Sequence, residues 1–217
     1  MVVVNTTQHA QLVDALTAAD PSVRLRAALS AGTDSDPRLT ETLVARCAVE
    51  PDFFVRDMLT WALCRMPADV TVPRLIDELG SGSAQARSQA LHTLSKIGDP
   101  RAWPSVSAQL HDEDDEVVRS AWRAAVVLVP LGQEAVLAAE LVPELGRGDR
   151  DRQLSLSRAF AGLGEDVLPA LDTVASHPDP LVRAHMEATK QLVHDPESSF
   201  TLSVELAKRV AITGQGS

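Results

Sequence analysis

Apolar residues in this chain recur at helical spacing, in short blocks broken by Gly, Pro and Asp. In 84–97, Ala86, Ala90, Leu94 and Ile97 form one stripe, with Arg87, Ser88, His92 and Lys96 opposite. Extended along the chain, the pattern predicts helices in pairs. First helices are expected at 8–18, 37–48, 72–79, 103–110, 133–145 and 165–176. Second helices are expected at 23–31, 53–65, 84–97, 117–129, 151–163 and 181–193. Gly32, Gly80, Gly98 and Gly146 stand where helices should stop, and Pro21, Pro37, Pro51, Pro100 and Pro178 lie in connections. The amphipathic stretch 198–212 reads as a capping helix and 213–217 as a frayed tail.

The pairs repeat. Arg24, Arg56, Arg87, Arg119, Arg152 and Arg183 open the second helices at separations of 32, 31, 32, 33 and 31 residues. The fifth unit is degenerate, since Gln153 could hold the arginine register in place of Arg152. Asp20, Asp52, Asp115 and Asp179 each stand four residues before an arginine. A carboxylate there can accept N–H groups at the helix start, and the arginine can then bond turn carboxylates and carbonyls. Both residue types read as scaffold.

Composition agrees with helices alone. Of 217 residues, 45% are hydrophobic but only 3% aromatic, with no Tyr, which leaves little from which to build a sandwich or barrel. The longest apolar run, Ala124 to Val129, falls far short of the ~20 residues a spanning helix needs. The start MVVVNTTQHA has neither a basic lead nor a long apolar stretch, so no secretory signal is expected. Cys47 and Cys64 cannot build a disulfide framework and read as buried structural thiols. A cytoplasmic protein with one domain over 1–217 is the expectation.

The stretch IGDPRAWPSVSAQLHDEDDEVVRSAWRAA resembles a HEAT repeat of the phycobilisome-lyase-like subtype: Gly-Asp-Pro, a helix, an Asp turn, then Val-Arg opening a second helix. The set of repeats, over residues ~10–195, also resembles small actinobacterial HEAT-repeat proteins. The resemblance implies an all-α, right-handed α-solenoid of about six helix pairs with a C-terminal cap. Its repeats would fall at 8–33, 37–66, 71–98, 101–131, 133–163 and 165–194, with the cap at 198–212. It departs from the pattern at Ala86, where Val is expected before Arg87, and in the fifth unit.

Charge changes the picture. The net charge is −10, yet the windows around the second helices, 23–33, 53–66, 84–97, 117–129, 150–163 and 181–193, hold 13 bases against 3 acids, a net +10 set against −20 elsewhere. The resemblance places second helices on the concave face, which would make the inner surface the more basic one. Six of those bases belong to the arginine register; the other seven are spread over six helices. The overall negative charge argues against nucleic acid, whose binding needs many uncompensated bases. An acidic protein or peptide segment fits better.

One cluster stands out. Asp57, Trp61 and Arg65 fall at i, i+4 and i+8; Ser88, His92 and Lys96 hold the same register 31 residues later, and Arg123 extends the patch. Trp61 reads either as an anchor on the binding face or as a core residue. His92 is expected to be exposed. The same Asp57, Trp61 and Arg65 superficially echo HEAT-like alkylpurine DNA glycosylases, which supplies an alternative of another class. Against catalysis, the chain shows no Ser/His/Asp order, glycine-rich phosphate loop, or Cys or His pair at metal spacing. The sequence therefore reads as a non-catalytic binding or adaptor module, with no catalytic residue, cofactor, metal or membrane contact expected.

Overall fold

A computed structural model of the chain describes residues 2–196; the expected cap at 198–212 lies outside the described residues. Twelve α-helices and no strand occur among them. In chain order these are α1 (Val2–Leu16), α2 (Pro21–Asp34), α3 (Thr40–Cys47), α4 (Phe53–Cys64), α5 (Ala68–Glu78) and α6 (Ala84–Ile97). They continue as α7 (Trp103–Ser107), α8 (Asp115–Leu128), α9 (Glu134–Leu141), α10 (Arg150–Leu163), α11 (Leu168–Asp172) and α12 (Pro180–His194). Single 3-10 turns lead into α3, α7 and α11 and follow α9. All six expected helix pairs are present.

The chain divides within α8, between Ala124 and Ala125, into two compact units. In the first, α2, α4 and α6 pack side by side as one layer, and α1, α3 and α5 as the other. Leu16, Leu39, Leu43, Leu59, Leu63, Leu75, Leu91, Leu94 and Trp122 are fully buried here, and Trp122 Nε1 donates to the Leu110 carbonyl at 3.0 Å. In the second unit, α10 lies on α12 and α9 on α11, around Leu137, Leu141, Leu156, Phe160 and Leu171.

Asp caps start five of the six second helices, and Ser83 caps α6. Asp20, Asp52, Asp149 and Asp179 accept the N–H of Ser22, Val55, Arg152 and Leu181 at 2.8, 3.1, 2.9 and 2.8 Å. At α8 the cap is Asp114, one residue before the expected Asp115, and it accepts from Glu116 and Val117. The arginines close the turns from the other side. Arg24 Nη1 donates to the carbonyls of Ala18 and Ala19, Arg56 Nη1 to those of Glu50 and Pro51, and Arg183 Nη1 to those of His177 and Pro178. Arg87 makes the same reach to Ser81 O, six residues back. In the fifth unit the work is split: Gln153 reaches the carbonyls of Gly146 and Gly148 while Arg152 bonds Glu144.

Two glutamates absent from the repeat pattern are sealed beneath these turns. Glu50, fully buried, takes a two-pronged bond from Arg24 at 2.7 and 2.7 Å, a third from Arg46 Nε at 2.8 Å, and the Asp52 N–H at 2.9 Å. Glu144, also buried, binds Arg147 and Arg152 at 2.9 and 2.8 Å.

In the second unit His185 is buried, and its Nδ1 accepts the Gly146 N–H at 2.9 Å, which fixes the ring proton on Nε2. Nε2 lies 3.0 Å from both the Gln153 carbonyl and Ser157 Oγ. Burial pushes the imidazole from 6.5 down to about 4, against a raising effect from Gln153 O. The unfolded chain therefore takes the proton first, so this group's contribution is complete above about pH 6.5 and is lost as pH falls towards 4. Denaturant melts across that range should show wild type losing on the order of 3 kcal/mol more than His185→Asn. Parallel losses in both proteins would contradict this placement.

Candidate functional site

The seven residues picked from sequence all belong to the first unit, on α4, α6 and α8 and their ends. α4 turns Val55, Leu59, Ala62 and Leu63 inward, which leaves Asp57 and Trp61 on the opposite face, with Arg65 at its C-cap. Trp61 is 38% exposed. It therefore lies at the surface with only part of its ring packed.

That packed part rests on Gly32 of α2. A Cβ on Gly32 would stand 2.3 Å from Trp61 Cζ3 and 2.9 Å from Ala62 Cα, so a glycine is what lets α4 approach. Gly32 was expected to stop the helix, but α2 runs through it to Asp34. Its missing side chain serves packing rather than termination. Arg65 Nε donates to the Gly32 carbonyl at 2.8 Å, and its guanidinium lies 5.3 Å from the Trp61 ring centroid. The ring is thus held between a helix backbone and a cation, a geometry that fixes its orientation while leaving an edge to solvent.

The remaining residues separate into two environments. Ser88 is buried and bonds Ser120 Oγ at 2.9 Å, and Arg123 Nη2 donates to the same Ser120 at 2.9 Å. Ser88 thus ties α6 to α8 beneath the surface. His92, expected to be exposed, is half-buried. Burial, then Arg123 and Lys96, push its pKa down, with Asp57 pulling the other way. Asp57, His92, Lys96 and Arg123 therefore share one electrostatic neighbourhood across three helices. Desolvation and nearby Arg119 also lower Arg123.

The bases divide by partner. Arg24, Arg87 and Arg152 are tied to Glu50, Asp112 and Glu144. Arg65, Lys96 and Arg123 form no ion pair among the described residues. Arg56, Arg119 and Arg183 of the register bond backbone carbonyls instead, so the basic character of this layer comes from part of the register as well as from positions outside it.

Two thiols and one Ser–His contact complete the chemical inventory. Cys47 is buried, and burial pushes its pKa to about 12. Cys64 was expected to be buried but is exposed, because the last turn of α4 carries it outward. Ser157 and His185 touch, but both are buried, and the Gly146 N–H already occupies Nδ1, so Nε2 is a donor and not a base. Among the described residues no three His, Cys, Asp or Glu side chains are placed to hold a metal ion, and no helix is long and apolar enough to cross a membrane.

Residues 55–126 match the HEAT repeats family model, a stretch that contains every residue of the cluster. Residues 55–126 therefore carry HEAT repeats. The match is to HEAT repeats in general and does not extend to the lyase-like subtype. HEAT repeats as a class mediate protein interactions. No curated protein matches the sequence. Two engineered proteins of known crystal structure are similar to it. One is 16% identical, covering 87% of this chain and 98% of its own, with a TM-score of 0.46. The other is 18% identical, covering 91% and 96%, with a TM-score of 0.45.

Proposed function

We propose that this HEAT-repeat protein is a non-catalytic, cytoplasmic adaptor or regulatory module that docks an acidic protein or peptide segment. The docking surface is the second-helix face of its first unit, around Asp57, Trp61, Arg65, His92, Lys96 and Arg123, with Ser88 supporting it from below. One observation carries the reading: Arg65 lies against a tryptophan that is oriented but not sealed, while Lys96 and Arg123 flank His92 on the neighbouring helices, and none of the three cations forms an ion pair among the described residues. A charge left uncompensated on a structured face costs little in water and attracts opposite charge, while an aromatic held in one rotamer loses little entropy on binding.

Arg65→Glu/Lys96→Glu tests it. Both side chains are exposed, so the double variant should keep its helical circular dichroism. Acidic prey retained by wild-type protein should be lost by the variant and by wild type at high salt. Equal recovery of every prey by both proteins would remove the proposal. Alkylated duplex DNA serves as the control for the other class of ligand: neither base release nor a gel shift is expected.

A further inference from the structure

The solvent-facing stripe of α4 changes character along its length. Phe54, Met58, Trp61 and Arg65 fall at i, i+4, i+7 and i+11, on one face of the helix. Phe54 is 71% exposed and its neighbour Phe53 is 65% exposed. Their rings meet edge to face with centroids 5.7 Å apart, and the Arg56 guanidinium lies 6.0 Å from the Phe53 centroid. Val49, just before the α3–α4 turn, is exposed as well. Aromatic area gathered at one edge is costly to leave in water and marks a contact surface. At the far end stand cations instead: Arg65 at the C-cap of α4 and Lys96 in the last turn of α6. Eleven residues separate Phe54 from Arg65, about 16 Å along the axis.

We infer that this face takes a two-ended peptide segment, with an apolar or aromatic anchor on Phe53, Phe54 and Met58 and a carboxylate cluster about 16 Å away against Arg65 and Lys96. The inference rests on the docking proposal and specifies its ligand. Charge complementarity selects the occupant. Arg65 and Lys96 form no ion pair among the described residues, so incoming carboxylates displace no acidic partner. Asp57 lies on the same stripe between the two ends and repels an acid placed mid-segment, which sets the register as well as the sign. A polyphosphate backbone would carry its charge past Asp57 and both phenylalanines, so a peptide is favoured over nucleic acid. The span corresponds to about five residues if the segment is extended and about eleven if it is helical.

Fluorescein-labelled synthetic peptides and the full chain, read by anisotropy, test this. One peptide carries Phe-Leu and then three Glu five residues on; a second spaces them by eleven; a third places the Glu beside the anchor; a fourth has the Glu alone. One of the first two should bind at least tenfold tighter than the third and fourth. Phe53→Ser/Phe54→Ser should cost that peptide about tenfold and leave the Glu-only peptide unchanged, since both rings are already exposed and their loss spares the core. Arg65→Glu/Lys96→Glu should weaken both. Equal binding of all four peptides, indifference to the Phe variant, or no binding by any of them would overturn the two-ended ligand. The docking proposal itself fails separately, on prey recovery by Arg65→Glu/Lys96→Glu.

Discussion

Glu50→Ala should cost about 3–5 kcal/mol of folding stability, the largest loss expected from any single change in the first unit. Glu50 is fully buried and Arg24 is 5% exposed, so truncating the acid strands a guanidinium in the interior with its fork unfilled. The Arg46 bond and the Asp52 N–H lose their acceptor at the same time, and Asp52 is the cap of α4. Removing both charges is a different matter: Arg24→Met/Glu50→Leu should recover most of the loss, because no unpaired ion remains. Acid probes the same group. Burial works against its ionised form, but the Arg24 fork, the Asp52 N–H and Arg46 outweigh it and hold the carboxyl at about 2 rather than 4.5. A depressed carboxylate pKa stabilises above the unfolded value and loses that stabilisation as pH falls from 4.5 through about 2. Denaturant midpoints of the single and double variants, measured at neutral pH and in acid, check both parts. Equal stability of Glu50→Ala and wild type would show that the network contributes nothing.

Gly32→Ala should destabilise by about 1–2 kcal/mol, although alanine is the better helix former. Replacing a glycine inside a helix ordinarily gains about 1 kcal/mol. Here the added methyl would meet Trp61 Cζ3 at 2.3 Å and the Ala62 Cα at 2.9 Å. The indole can swing away, but the Ala62 backbone cannot, so α2 and α4 must part, at a typical overpacking cost of 1–3 kcal/mol. The displaced ring also loses its seat under Arg65. Trp122 is fully buried and should not respond, so a red-shifted tryptophan emission together with a lower denaturant midpoint is the expected signature. A more stable protein with unchanged emission would show that the close approach is not required.

The helix pairs were legible because each carries its own stripe, a capping Asp or Ser and its arginine, all close together in the chain. α6 spans 84–97 as read. Where several acids compete locally, as in Asp112–Glu116, spacing alone could not choose the cap, and Asp114 takes the role by one residue. What was hidden depended on residues a full repeat away. Glu50 looks like a solvated turn acid until Arg24, 26 residues earlier, is brought against it. Gly32 looks like punctuation until Trp61 arrives on top of it. Ser88 sits on the polar side of its own helix, yet Ser120 covers it. The Phe54–Met58–Trp61 stripe was readable from spacing, but apolar residues at helical spacing are ordinarily core, and only their exposure distinguishes this set.

Zero-length carbodiimide coupling of the protein to a captured acidic partner tests the docking surface most directly. The chain has three lysines: Lys96 lies on the proposed face, Lys190 on α12 of the second unit, and Lys208 outside the described residues. Amide adducts between Lys96 and partner Asp or Glu side chains, mapped by mass spectrometry, are the expected result. Adducts on Lys190 with Lys96 unmodified in the complex would contradict it.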